Sequence, residues 1–240
     1  MDPANPYTQM QKRRYDTDAS RWSLAEKHWV IGGYETHNDW ADYKLLFSGL
    51  SDLSSKRVLD FGCGPGRNLV KYAGVFDRID GVDISEINLE KARVLIADSL
   101  LDVSKFTLYP CNGVDLANVP TASYDILMST IAFQHICVHE IRLNYLKDFF
   151  RVLAPGGTLS MQMGFGKSSY GVDYYANNYG ALTTNGGCDT RVDSADQLKT
   201  DLEAVGFTNF RYTIRPVGPG DSHPYWIFFQ ADVPEVSQTY

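Results

Sequence analysis

One run limits the possible folds more than any other: Val58-Leu59-Asp60-Phe61-Gly62-Cys63-Gly64-Pro65-Gly66-Arg67-Asn68-Leu69. Apolar strand residues lead into a glycine-rich turn, and helix-forming residues follow. Glycines in such a turn accept positive φ and let a ligand approach the backbone with no Cβ in the way. A second strand, residues 78–83, ends in Asp83, and Ser85 caps a helix that runs to about Leu100. A carboxylate about 20 residues past the turn is placed to accept hydrogen bonds from a ribose diol, the adenosine-binding logic of doubly wound sheets.

The same alternation continues. Residues 57–61, 106–111, 124–130 and 158–163 read as strands, and residues 67–73 and 140–153 as helices. Pro155-Gly156-Gly157 ends the last of these helices. Helices between short apolar strands mean a parallel sheet. Near the carboxyl end, residues 194–205 read as a helix closed by Gly206, and residues 207–217 and 225–233 as strands. The turn formers between them, Gly218-Pro219-Gly220-Asp221-Ser222-His223-Pro224, leave no room for a crossover helix, so this pair is antiparallel.

The first 53 residues differ in texture. Residues 1–17 are polar and contain proline, and they read as frayed. Trp22, Ala25 and Trp29 put a helix over residues 18–29, and Asn38 caps a second helix bearing Trp40, Tyr43, Leu46 and Phe47. The organisation is therefore a helical cap, residues 1–53, on a domain spanning 54–240, with a long polar loop at 164–193.

Composition narrows the partners. The net charge is −7, which disfavours nucleic acid and anionic membrane surfaces. No run reaches the ~18 apolar residues of a membrane span, and residues 1–14 lack the apolar core of a secretory signal. The four cysteines, Cys63, Cys111, Cys137 and Cys188, form no C-x-x-C pair, which suits a reducing cytoplasm. A dinucleotide fingerprint, G-x-G-x-x-G, fails because Arg67 and Leu69 stand where the third glycine is needed. Asp60, two residues before Gly62, is instead placed to meet an ammonium group.

These residues resemble the first motif of class I S-adenosylmethionine-dependent methyltransferases. The resemblance continues through Gly81-Val82-Asp83-Ile84-Ser85, Ser123-Tyr124-Asp125-Ile126-Leu127-Met128-Ser129 and Arg151-Val152-Leu153-Ala154-Pro155-Gly156-Gly157. It implies an α/β, Rossmann-like, seven-stranded sheet with a terminal antiparallel hairpin and S-adenosyl-L-methionine as cofactor. It also implies that Asp60, Gly62, Gly64 and Gly66 hold the methionine end, that Asp83 binds the ribose and that Ile84 packs on the adenine. Asn112 and Gly113 fall where the family places an acid and a small residue at the adenine edge. Asn112 departs from the acid but still offers an amide oxygen. Ser129 and Thr130 end the fourth strand, beside the methionine end.

The cofactor already carries a reactive methyl, so the chain's own task is to align an acceptor and exclude water. A base is needed only for a protonated acceptor. His135, just past the fourth strand, is the candidate base, set against a purely structural role. His135 and His139 are four apart but lack further ligands in sequence, so no metal is expected. Pro110-Cys111 ends the third strand, the wrong place for a nucleophilic thiol. The acceptor side draws on Tyr34 and His37 of the cap and on Tyr170, Tyr174 and Tyr175 of the loop. Aromatic rings with Asn177, Asn178 and Asn185 suit a small polar molecule such as a sugar or nucleotide-sugar, or an aromatic metabolite. The expected activity is methyl transfer to oxygen or nitrogen of a small molecule. The alternatives are methylation of a protein or polymer, an NAD(P)-dependent oxidoreductase, and a non-catalytic S-adenosylmethionine-binding protein.

Overall fold

The computed structural model describes residues 5–22, 44–167, 171–180, 189–217 and 223–235. Its first element corrects the sequence reading. Residues expected to fray form helix α1, Pro6–Arg21, capped by the Asn5 side chain on the Thr8 amide, with proline in the first turn. That start signal was present in the sequence. The helix ends at Trp22, so the expected helix over 18–29 overlaps only its last turn; up to residue 43 the helix expected after Asn38 lies outside the described residues, and residues 44–47 form a 3-10 turn with Leu46 buried.

The sheet elements follow in alternation: β1 Arg57–Phe61, α2 Arg67–Tyr72, β2 Arg78–Asp83, α3 Glu86–Asp98, β3 Leu108–Pro110, β4 Tyr124–Thr130, α4 His139–Val152 and β5 Leu153–Phe165. Then come β6 Val172–Asp173, β7 Thr190–Arg191, α5 Ala195–Val205, β8 Thr208–Pro216 and β9 Tyr225–Asp232. β3 is shorter than expected: Phe106 caps a 3-10 turn, the Thr107 amide donates to the Asp80 side chain, and pairing runs only over Leu108–Pro110. β5 is longer. Its first residue, Leu153, already pairs with Tyr124, and the register then jumps so that Ile126 meets Thr158. Pro155-Gly156-Gly157 is looped out within the strand rather than preceding it.

The seven-stranded sheet has the order β3-β2-β1-β4-β5-β9-β8. β9 runs antiparallel to both neighbours and the other pairings are parallel. Successive strand residues go to opposite faces, and both faces are covered. Leu59, Leu127 and Phe229 join one apolar cluster with α4 and α5, while Val58, Ile126 and Phe228 join the other with α2 and α3. The strand order reverses between β1 and β4, so the crevice at their carboxyl ends is where such a sheet binds ligands. The loop expected at 164–193 contains the small parallel pair of β6 and β7. Among the described residues, no helix is long and apolar enough to cross a membrane.

Candidate functional site

The glycine turn leaves β1 at the crevice. Gly64 has φ +54, and a Cβ built on it would meet nothing within 4 Å among the described residues, so the backbone there borders open space. Gly62 is the opposite case: a Cβ would fall 2.3 Å from Ala132 Cβ, because the chain leaving β4 packs directly on the turn. Both sides of the crevice thus meet at this loop.

Asp60 is fully buried, and neither carboxylate oxygen has a hydrogen-bond partner among the described residues. Burial pushes its pKa up to about 7; the Asn68 amide and the Arg67 guanidinium pull it down, and Asp83 pushes it up. A buried carboxylate that Asn68 and Arg67 stabilise only in part, beside open backbone, fits an ammonium group, a charge that would relieve its remaining desolvation. The residues present therefore fit the amino-acid end of S-adenosylmethionine.

That burial has a pH consequence. The folded protein holds a proton on Asp60 where the unfolded chain has lost it. The stability of the cofactor-free protein is therefore expected to fall as pH rises from about 4 to about 7 and then to level off. A shift of this size corresponds to about 4 kcal/mol. Cofactor affinity is expected to weaken below about pH 7, as Asp60 takes up its proton. Asp60→Asn should remove its part of both slopes, in thermal melts and in calorimetric titration respectively, leaving that of Asp83. Unchanged slopes in that variant would remove Asp60 from the site.

Asp83 is buried at the end of β2, and burial raises its pKa. It is already engaged: Oδ2 accepts from the Gly64 amide at 2.9 Å, and Oδ1 from the Ser85 amide at 2.8 Å and the Asn88 side chain at 3.2 Å. It therefore ties β2 to the glycine turn as well as offering its remaining lone pairs to a ribose. Asp83→Ala is expected to weaken cofactor binding by about 1.5–3 kcal/mol, the range for a hydrogen bond to a charged group. Because three protein donors lose their acceptor, the cofactor-free melting temperature is expected to fall too. Equal calorimetric affinity in variant and parent would refute the assignment.

The other expected cofactor residues divide. Ile84, half-buried, faces Gly113: a Cβ on Gly113 would lie 3.0 Å from Ile84 Cδ1 and from Thr8 Cβ. Asn112 is spent on its own turn, its oxygen accepting from the Val114 and Asp115 amides and its nitrogen donating to Asp115. Ser129 Oγ donates to the Phe61 carbonyl, and Thr130 Oγ1 accepts from Asn68. These last two brace β4 against β1 and α2.

Helix α1 lies across the crevice, a placement the sequence reading missed. Tyr7, Gln11 and Tyr15 form one i, i+4 row, and Thr8, Lys12 and Asp16 the adjacent one. The first row meets the β4 side: the Tyr7 hydroxyl accepts from the Cys137 amide, Gln11 donates to the His135 carbonyl, and the Tyr15 ring stands 6.3 Å from that of His135. The second meets the β2 and β3 side: Thr8 packs on Gly113, Lys12 donates to the Ile84 carbonyl and pairs with Glu86, and Asp16 accepts from Ser85 Oγ. Burial and the nearby Tyr7, Asp189 and Asp83 push the Tyr15 hydroxyl well above its ordinary pKa, so it remains protonated.

His135 closes a 3-10 turn, Phe133–His135, after β4. Its Nδ1 lies 2.5 Å from Asp189 Oδ1, while Nε2 has no partner among the described residues. His139 turns away to Asp201, 2.9 Å distant, so the two histidines serve different carboxylates. Among the described residues, no cluster of side chains is arranged to hold a metal. Cys111 packs against the Tyr145 hydroxyl, and burial pushes its thiol up to about 11, as a structural cysteine requires.

Of the expected acceptor residues, Tyr34, His37 and Tyr170 lie outside the described residues. Tyr174 is corrected. It is 1% exposed, its hydroxyl donates to Asp201, and the Arg142 guanidinium lies 4.9 Å from its ring centre. It is a core residue because α4 and α5 close over it. Tyr175 is half exposed, edge-on to His139. Asn177 and Asn178 are engaged with the Glu140 and Gly180 amides.

Comparison with known proteins agrees with this geometry. A family described as "Methyltransferase domain" matches residues 34–212. The chain is 30% identical over 138 residues to a ubiquinone biosynthesis O-methyltransferase of Neisseria meningitidis serogroup C, covering 53% of this chain and 56% of that protein. It is 24% identical over 194 residues to an S-adenosyl-L-methionine-dependent Diels-Alderase of Neonectria sp., covering 76% of this chain and 70% of the other. The chain thus spans about half the length of the first of these. Among solved structures, a phosphoethanolamine N-methyltransferase 2 of Haemonchus contortus, complexed with S-adenosylhomocysteine, superposes with a TM-score of 0.67 at 16% identity, covering 98% of this chain and 62% of that one. An S-adenosylmethionine-dependent methyltransferase from Mesorhizobium loti gives 0.58 at 17% identity, covering 80% and 97%. With its sheet order, glycine turn and buried acids, the chain belongs to the class I S-adenosylmethionine-dependent methyltransferases, and S-adenosylmethionine is its cofactor.

Proposed function

We propose that the protein methylates a hydroxyl oxygen of a small aromatic acceptor, with His135 as general base. The observation that carries this reading is the imidazole at the crevice, anchored through Nδ1 and open at Nε2, with the Tyr15 ring beside it. S-adenosylmethionine, when bound, supplies an electrophilic methyl group on a sulfonium. The hydroxyl proton goes to Nε2 of His135. The acceptor oxygen bonds to the methyl carbon as the carbon–sulfur bond breaks, and that electron pair stays on sulfur. Asp60, Gly62, Gly64 and Gly66 hold the methionine end, Asp83 the ribose, and Ile84 and Gly113 border the adenine. Asn112, Ser129 and Thr130 shape these walls through their own internal bonds.

The aromatic acceptor is preferred to a sugar because the loop groups suited to a sugar are used internally: Tyr174, Asn177 and Asn178 all have protein partners. The exposed groups nearby are aromatic: Tyr179 stands edge to face on the buried Tyr7 at 5.9 Å, and the Tyr15 ring is beside His135. The likeness to a ubiquinone biosynthesis O-methyltransferase supports an oxygen acceptor. In this reading residues 1–53 form the acceptor-side cap of a domain spanning 54–240, and the protein works in the cytoplasm on small molecules rather than on nucleic acid.

The test is the formation of S-adenosylhomocysteine with 3,4-dihydroxybenzoate and related catechols, set against amines and aliphatic alcohols. Turnover confined to the hydroxylated aromatics is expected. Tight binding of the cofactor with its methyl retained throughout would sink the reading, and would favour a role like that of the Diels-Alderase relative, which is named for a different reaction.

A further inference from the structure

Asp189 bridges two histidines from separate parts of the chain. Its Oδ1 is 2.5 Å from His135 Nδ1, and its Oδ2 is 2.8 Å from His223 Nε2. Gln134 donates to the same Oδ2 at 3.2 Å, while the Gln134 oxygen accepts from the Gly164 amide. His223 is 4% exposed and lies on Gly164, where a Cβ would fall 2.3 Å from the ring. Asp189 itself is held well below the usual carboxylate range by the hydrogen bonds and charges of both histidines, against its burial.

A second brace lies one residue along. The guanidinium of Arg142, 0% exposed, donates to the Ile136 carbonyl and to Thr190 Oγ1, and Thr190 Oγ1 donates to the same carbonyl at 2.9 Å. Ile136 follows His135 and Thr190 follows Asp189, so Arg142 fixes the spacing between the two segments. A buried charged network of this kind contributes little net stability; what it supplies is geometry.

We propose that Asp189 is the positioning residue of the base, holding His135 as the Nδ1–H tautomer so that the Nε2 lone pair faces the acceptor. His223, on the other oxygen, keeps the carboxylate from turning away. The inference rests on the function proposed above and adds the groups that make His135 competent.

The atoms predict an unusual result for Asp189→Asn. Gln134 and His223 both donate to the Oδ2 position, so the amide oxygen of the new residue settles there. Its NH2 then faces His135 Nδ1 and imposes the Nε2–H tautomer, which has no lone pair for the acceptor proton. In protein labelled with 15N-histidine, NMR is expected to show neutral His135 as Nδ1–H in the parent and Nε2–H in the variant. The variant's kcat is expected to fall by most of the roughly 10²–10⁴-fold that a general base contributes, with acceptor KM and S-adenosylhomocysteine affinity unchanged. The double variant His135→Gln/Asp189→Asn should be no slower than His135→Gln alone. If Asp189→Asn does not fold, Gly164→Ala displaces His223 instead and should mix the His135 tautomers. An Nε2–H His135 in the parent, or full kcat in Asp189→Asn, overturns the proposal. The NMR arm uses no acceptor, so it decides the tautomer assignment separately from any failure of methyl transfer in the parent.

Discussion

His135→Gln is expected to lower kcat by about 10²–10⁴-fold, the contribution of a positioned general base. Glutamine can still donate to Asp189, so the anchor survives while the basic nitrogen is lost. The imidazole is partly exposed and does not support the core, so the variant should melt close to the parent. S-adenosylmethionine affinity should not change, because the groups assigned to the cofactor, on the glycine turn and at the ends of β1 to β4, do not include His135. Full activity in the variant would make His135 structural.

Gly64→Val should abolish cofactor binding. At φ +54 a valine is strained by about 1–2 kcal/mol, so the cofactor-free protein should lose a few degrees of melting temperature. It has no neighbour to collide with, since the space beyond its Cβ is empty. That space is where the ligand approaches the backbone, and an isopropyl group fills it. S-adenosylhomocysteine, which stabilises the parent by mass action, should leave the variant's melt unmoved. Parent-like stabilisation would show that the turn does not cradle the cofactor. Gly62→Val is the control in the other direction: its Cβ meets Ala132, so folding itself should suffer.

What the sequence made legible depended on whether a residue's role was local. The glycine turn, Asp83, the helix closed by Gly206 and the terminal hairpin are set by neighbours in the chain, and all are where the pattern puts them. Helix α1 was missed because, beside the buried Tyr7 and Ala19, much of its docking runs through Gln11, Lys12 and Asp16 rather than through a continuous apolar stripe. Periodicity reports burial of apolar surface and is blind to a helix held by hydrogen bonds. Asn5-Pro6 was the available clue. Tyr174 was misjudged for a related reason: a polar, tyrosine-rich segment reads as surface, yet Asp201 and Arg142, distant in sequence, make its burial satisfiable. The partnership of His135 with Asp189 and His223 joins three loops and leaves no signal in spacing.

The helix across the crevice also bears on how long ligands stay. Besides the buried Tyr7 and Ala19, its attachments include single hydrogen bonds such as Gln11 to the His135 carbonyl and Lys12 to the Ile84 carbonyl, the neutral ones of about 1 kcal/mol net each. Its detachment is expected on the microsecond-to-millisecond scale of gated sites, and a bound molecule beneath the helix is expected to leave during such an interval. Residence time, and with it the ceiling on turnover, then follows the strength of these attachments rather than the affinity of the pocket. Amide hydrogen exchange along residues 6–21 measures that interval directly, and the exchange should slow when the crevice is filled.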